Sequence, residues 1–270
     1  MKPFACTLIF SIWLLSSCRE TINYGNNASA GKYYDLRGIK IYCEIYGEGP
    51  PLLMIHGNGG SIKAFENNIA YFAKKYKVIV ADSRSQGKTI DRKDSLSFEM
   101  MADDEAALLD ALHIDSAYVL GWSDGGINAL LLAIRHPAKV IKLASTGANL
   151  WPDSTAVIPS GWKEDKIRFD TTNTKDFTEE QKNRWKLFLL DWLQPNISLK
   201  QLHDIKCPSL IIGGDHDVIR TEHTLLIYKN ILRASLWIVP HSGHGTLIEH
   251  KEEFNKKVDN FFSTPFPDKK

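Results

Sequence analysis

The chain has 270 residues, 43% of them apolar and 24% charged, a composition that fits a globular protein with a sizeable core and excludes a disordered or fibrous one. Its 33 Lys and Arg residues balance 32 Asp and Glu residues to a net charge of +1, so charge gives no reason to expect a nucleic-acid partner. No internal repeat, like-charge block or low-complexity stretch divides the chain.

In chain order, the first feature is Lys2 followed by an apolar run from Phe4 to Leu15. The run is shorter than the ~20 residues that span a bilayer, and it has the form of a signal-peptide core. It ends in Leu15-Ser16-Ser17-Cys18, which resembles the lipobox of bacterial lipoproteins. That resemblance implies a signal peptide and lipobox over residues 1–18 and a lipid on Cys18. It also implies an exported protein held on a periplasmic or cell-surface membrane face. A plain secretory signal is the alternative. Residues 19–31, rich in Asn, Ser, Gly and Ala, read as a tether. Of the four cysteines, Cys6 leaves with the signal and Cys18 is the anchor, so Cys43 and Cys207 are expected to be buried free thiols.

The rest alternates strand and helix signals. Ile39–Tyr46 alternates as a strand, and Leu52–Ile55 is apolar throughout, as in a strand buried on both faces. Ile62, Phe65, Ile69, Phe72 and Tyr76 recur at steps of three and four and predict one helix. Strands are expected at 77–81, 117–120, 140–144, 209–212 and 236–239. Helices are expected over Phe98–Leu112, Asp124–Arg135 and Glu222–Ile231, with a last one carrying Phe254, Val258 and Phe261. This rhythm predicts an α/β fold with a mostly parallel sheet flanked by helices, and a ligand at the carboxyl ends of its strands. The core is assigned to residues 32–146 and 206–264. Residues 147–205 break the rhythm and read as a small helical cap or lid.

The chemistry-bearing residues follow strands. Gly121-Trp122-Ser123-Asp124-Gly125 lies between a strand and a helix, the context a nucleophile elbow needs, so Ser123 is the candidate nucleophile. A serine hydroxyl needs a base, and the chain order Ser, Asp, His is available downstream. Asp217, in Gly213-Gly214-Asp215-His216-Asp217, and His244, in His241-Ser242-Gly243-His244-Gly245, are assigned as acid and base. Asp215 and His241 are the competitors. His56-Gly57-Asn58-Gly59-Gly60 sits where a backbone donor for an oxyanion is expected. The N–H groups of Asn58 and Asp124 take that role. Trp122, Trp185 and Trp192 are candidate walls of the substrate pocket. Gly87-Lys88-Thr89 is no P-loop, because Asp82 stands where that motif needs glycine. No metal-ligand spacing is present, and no cofactor is implied.

Over nearly all of the mature chain these residues resemble the α/β-hydrolase superfamily. Asp82-Ser83-Arg84-Ser85-Gln86-Gly87 looks like its D-x-R-G-x-G loop, with Ser85 in place of glycine. The family's G-x-x-D and G-H patterns favour Asp217 and His244. Locally, Val119 to Ile127 and Thr146-Gly147-Ala148-Asn149 resemble the biphenyl hydrolase-like, or valacyclovir hydrolase, group. That resemblance implies that Asp124 helps to select esters bearing an α-amino group; a helix-capping role is its alternative. The expectation is a serine hydrolase of small carboxylic esters. Acyl transfer, C–C bond hydrolysis, haloperoxidation and a non-catalytic binding lipoprotein are the rivals.

Overall fold

The computed structural model describes residues 22–93 and 95–267, so the expected signal segment and Cys18 lie outside the described residues. In chain order the elements are β1 (Gly31–Leu36), β2 (Ile39–Tyr46), β3 (Pro51–Ile55), α1 (Ile69–Phe72), β4 (Lys77–Ala81), α2 (Phe98–Ala111), β5 (Ala117–Trp122), α3 (Asp124–Arg135) and β6 (Val140–Thr146). There follow α4 (Pro159–Thr171), α5 (Glu179–Leu193), α6 (Leu199–Leu202), β7 (Ser209–Gly214), α7 (Thr221–Lys229), β8 (Ala234–Val239), α8 (Thr246–Glu249) and α9 (Lys251–Ser263).

The eight strands form one sheet in the order β1-β2-β4-β3-β5-β6-β7-β8. β2 pairs antiparallel with β1 and β4, and the remaining pairs are parallel. The sheet grows outward from β3 in both directions, first to β4 and then to β5. The chain therefore reverses its winding between β3 and β5, and the crevice beyond their carboxyl ends is where such folds bind ligands.

The apolar runs of the central strands match their place in the sheet. Leu53, Ile55 and Ile79 face the layer built on α2 and α3, while Leu52, Met54, Val78 and Val80 face the opposite layer with Phe72, Phe254 and Phe262. Side chains alternate across a strand, so a strand packed on both faces must be apolar at every position.

Two sequence expectations give way here. The single helix over Ile62–Tyr76 is instead a 3₁₀ turn at Ile62–Phe65 followed by α1. All five apolar residues are still buried. Tertiary bonds break the helix between them: Asp82 accepts from the Ile62 N–H at 2.8 Å, and the Asn68 amide donates to Asn255 at 2.7 Å. The expected tether also ends early. Glu44 accepts from the N–H groups of Gly25 (2.8 Å) and Asn27 (2.9 Å), Tyr24 packs edge-on to Tyr46, and Gly31 already opens β1. Residues 147–205 enter between β6 and β7 and carry α4, α5 and α6.

Candidate active site

β5 ends at Trp122 and α3 begins at Asp124, with Ser123 alone between them at φ 58°, ψ −121°. This left-handed backbone costs a non-glycine residue about 1–3 kcal/mol, so the surroundings must impose it. They do so by close packing. A Cβ on Gly121 would lie 2.0 Å from the Gly125 carbonyl oxygen, and one on Gly125 would lie 1.9 Å from that of Ile55. The two glycines thus let the start of α3 press against the ends of β3 and β5. The Ser123 N–H donates to the Thr146 carbonyl at 2.9 Å, fixing the turn on β6.

The loops after β7 and β8 bring the other two residues to the serine. His244 Nε2 lies 2.9 Å from Ser123 Oγ, and His244 Nδ1 lies 2.6 Å from Asp217 Oδ1. This arrangement puts the proton on Nδ1 and leaves Nε2 to accept from the hydroxyl. Asp217 Oδ1 also accepts from the Ile219 N–H at 2.9 Å, which holds the carboxylate in place. The competitors do other work. Asp215 hydrogen-bonds to His216 Nδ1 at 2.8 Å and accepts from the Ser242 N–H at 3.1 Å, tying the two loops together. His241 is exposed, with φ 55°, and its carbonyl oxygen bonds His250.

The N–H groups of Asn58 and Asp124 take no backbone acceptor among the described residues. That of Asp124 is the first of α3, where helix geometry leaves donors free and the helix dipole favours negative charge. A Cβ on Gly57 would come within 2.9 Å of Ser123 Cβ, so glycine lets this loop approach the nucleophile. His56 holds the loop from beneath. Its Nδ1 lies 2.7 Å from the Gly57 carbonyl oxygen, and its Nε2 accepts from the Ser83 N–H at 3.0 Å. Complete burial pushes its pKa down, in keeping with a neutral ring.

The Asn58 amide nitrogen donates twice, to Asp124 Oδ2 at 2.9 Å and to the Leu187 carbonyl of α5 at 3.1 Å. Asp124 is buried, and no side chain caps α3, so the capping alternative is replaced by this link. Asp191, one turn beyond Leu187, sets its carboxyl against Asp124 and Asn58. Burial raises the pKa of Asp124. Burial, then the charge of Asp124, raises that of Asp191 well above the usual carboxylate range. Sequence reasoning missed Asp191, which stands in no motif.

The three tryptophans are placed differently from one another. The Trp122 indole donates to the His244 carbonyl at 2.9 Å, so it braces the histidine loop. Trp185 stacks on Phe188 at 4.8 Å and on Phe169 at 6.4 Å. Trp192 stacks on Phe169 at 5.4 Å and on Trp162 at 5.8 Å. This aromatic layer joins α4 to α5, whose polar helices otherwise bury little. Trp185 also borders a groove of about 940 Å³ between α5 and residues 90–93 and 95–96, which contains no member of the Ser123–His244–Asp217 group. Cys43 is a buried free thiol, whereas Cys207 is only half-buried. Among the described residues no three His, Cys, Asp or Glu side chains converge as a metal cage.

A strained serine between β5 and α3, with its histidine and aspartate on later strand loops, defines the α/β-hydrolase class. Residues 50–185 match the family of the alpha/beta hydrolase fold, and the chain belongs to it. It is similar to the serine hydrolase BPHL of Homo sapiens, 27% identical over 260 residues and 88% of each chain. It is also 27% identical to 2-hydroxymuconate semialdehyde hydrolase of Pseudomonas sp. (strain CF600), over 88% of this chain and 95% of that one. The fold is shared with the enol-lactonase of Burkholderia xenovorans LB400, at a TM-score of 0.72 and 18% identity, over 86% of this chain and all of the other.

Proposed function

We propose that the protein is a serine hydrolase that cleaves small carboxylic esters through an acyl-enzyme, with a preference for esters of α-amino acids. The observation that carries this reading is the continuous chain from Ser123 Oγ through His244 to Asp217, with links of 2.9 and 2.6 Å. His244 Nε2 takes the hydroxyl proton as Oγ attacks the ester carbonyl. The N–H groups of Asn58 and Asp124 receive the developing oxyanion. The tetrahedral adduct collapses, the alkoxide leaves with the proton from His244, and the acyl group stays on Ser123. Water then repeats the cycle in reverse and frees the acid. Asp217 holds the imidazole and stabilises its charged form. The route as drawn uses no metal or organic cofactor.

Asp124 supports the amino-acid preference, since it places a buried carboxyl next to the nucleophile, where a substrate ammonium is its natural counter-ion. The likeness to human BPHL agrees with a serine hydrolase. The other relative supports a second reading, C–C bond hydrolysis with the same three residues. A panel of aminoacyl esters, plain esters and 2-hydroxymuconate semialdehyde, run on wild type and Ser123→Ala, separates the two. Ester turnover lost in the variant supports the proposal, and turnover of the semialdehyde alone overturns it.

The lipobox-like Leu15–Cys18 supports a second proposal, attachment to a bacterial membrane through a lipid on Cys18. Cys18→Ala is expected to move the protein from the membrane to the soluble fraction, and continued membrane association overturns the anchor.

A further inference from the structure

We propose that Asp191 is a second specificity-determining carboxyl of the substrate pocket, so that the ammonium group of an aminoacyl ester is held between Asp124 of the core and Asp191 of the inserted segment. This inference rests on the ester-hydrolase reading and deepens it.

The geometry comes from one shared oxygen. In a helix the N–H of residue i donates to the carbonyl of residue i−4, so the Leu187 carbonyl is the helical acceptor for Asp191. The Asn58 amide donates to that same carbonyl at 3.1 Å while donating to Asp124 Oδ2 at 2.9 Å. The oxyanion loop, the first residue of α3 and the Asp191 turn of α5 therefore meet at a single side chain. The Asp191 carboxyl neighbours the Asp124 carboxyl and the Asn58 amide. Asp191 is exposed, so its carboxyl is open to an incoming molecule, while Asp124 beside it is buried.

The electrostatics say what suits this junction. Asp124 faces Asn58, Asp191 and His244; Asp191 faces Asp124, Asn58 and Asp165; Asp165 faces Arg168 and Glu164. Neither Asp124 nor Asp191 forms a salt bridge with a lysine or arginine among the described residues. Asn58 orients the carboxyls but, as a neutral amide, cancels no charge. Two neighbouring carboxyls, one of them buried, share a proton until a cation replaces it. A primary ammonium brings three N–H donors, enough to satisfy one oxygen on each carboxyl and a third acceptor. Asp124 directly follows Ser123 in sequence, so a cation held here sits near the scissile carbonyl, as the α-amino group of an aminoacyl ester does.

The test compares an α-amino-acid ester with the same ester lacking its amino group, on wild type, Asp191→Asn and Asp124→Asn. Wild type is expected to prefer the amino ester. Its preference, the ratio of the two kcat/KM values, is expected to rise with pH as the shared proton becomes easier to displace. Asp191→Asn is expected to lower that ratio by roughly tenfold to a hundredfold, the range for a lost hydrogen bond to a charged group, and to flatten its pH dependence. The rate of fluorophosphonate labelling of Ser123 reports whether the variant is folded. If labelling is lost, Asp191→Glu supplies the reading, with the preference expected to persist. An unchanged ratio overturns the inference, whether both esters slow together or neither does. A wild type that turns over both esters without preference overturns it as well, while leaving the hydrolase reading intact. A wild type that turns over neither ester sinks both.

Discussion

Two pairs of aspartates show how the same residue type serves opposite ends. Asp91 and Asp104 surround Arg84, whose guanidinium reaches Asp91 Oδ2 at 2.7 Å and Asp104 at 2.6 and 2.8 Å. Arg37 adds a bond to Asp104 at 3.0 Å. Burial alone would raise the Asp91 carboxyl, but the bond and charge of Arg84 outweigh it and hold the group below its usual range. This cluster is complete in itself and fastens the loop after β4 to α2. Asp124 is also buried, with Asp191 at its exposed side, but a neutral amide stands where the first pair has arginine. The first pair is charge-paired within the fold, whereas the second has no lysine or arginine partner among the described residues.

The largest effect that can break this contrast is on the first pair. Asp104→Asn leaves Arg84 buried with one carboxylate, and a loss of about 3–5 kcal/mol is expected in chemical denaturation. A loss below ~1 kcal/mol would contradict the structural role. Glu105, adjacent in sequence, is wholly buried with no cation; burial first, and then the charge of Asp104, push its pKa up to about 8. Its folded pKa is raised, so the folded state holds its proton more tightly than the unfolded chain does. Stability tied to that proton is intact below the ordinary glutamate range and drains away as pH rises towards about 8. The stability advantage of Glu105→Gln should therefore widen by a few kcal/mol between pH 5 and pH 8, whereas a constant difference would rule this out.

Asp191→Asn should act oppositely to Asp104→Asn. The folded pKa of Asp191 is raised, so the wild type loses stability as pH climbs above the ordinary carboxylate range. The variant should match wild type in acid and exceed it in base, measured as melting temperature against pH. A large loss at every pH would put Asp191 with the structural pair. The smallest effect is expected at Ser85, which holds φ 65° where the family loop usually has glycine. Ser85→Gly should stabilise the protein by no more than about 1 kcal/mol, since relief of the left-handed strain is partly offset by the freer unfolded chain.

Much of the site was readable because its residues sit in short motifs tied to strand ends. Ser123, Asp217 and His244 each follow a strand, and the sheet order carries those loops to one crevice. Strand placement does not separate Asp215 from Asp217, which follow the same strand; the family's G-x-x-D pattern favours Asp217, and the bond from the Ser242 N–H to Asp215 appears only in the fold. Asp191 was invisible because its place depends on how α5 crosses the core, and no local pattern encodes that crossing. Trp185 and Trp192 are expected as pocket walls, but their stacking with Phe169 and Phe188 is a tertiary outcome that spacing does not reveal. The break in the helix at Asn68 has the same origin. Apolar periodicity reports which side chains are buried, and a distant Asp82 and Asn255 decided the backbone between them.

The central claim is that Ser123 forms the acyl-enzyme. The most direct measurement is mass spectrometry of the intact protein, quenched early in turnover of an aminoacyl ester, with the adduct then mapped by peptide. The account predicts one acyl group per chain, located on Ser123 and absent from Ser123→Ala. Turnover with no adduct under fluorophosphonate trapping, or an adduct that survives in Ser123→Ala, would contradict it.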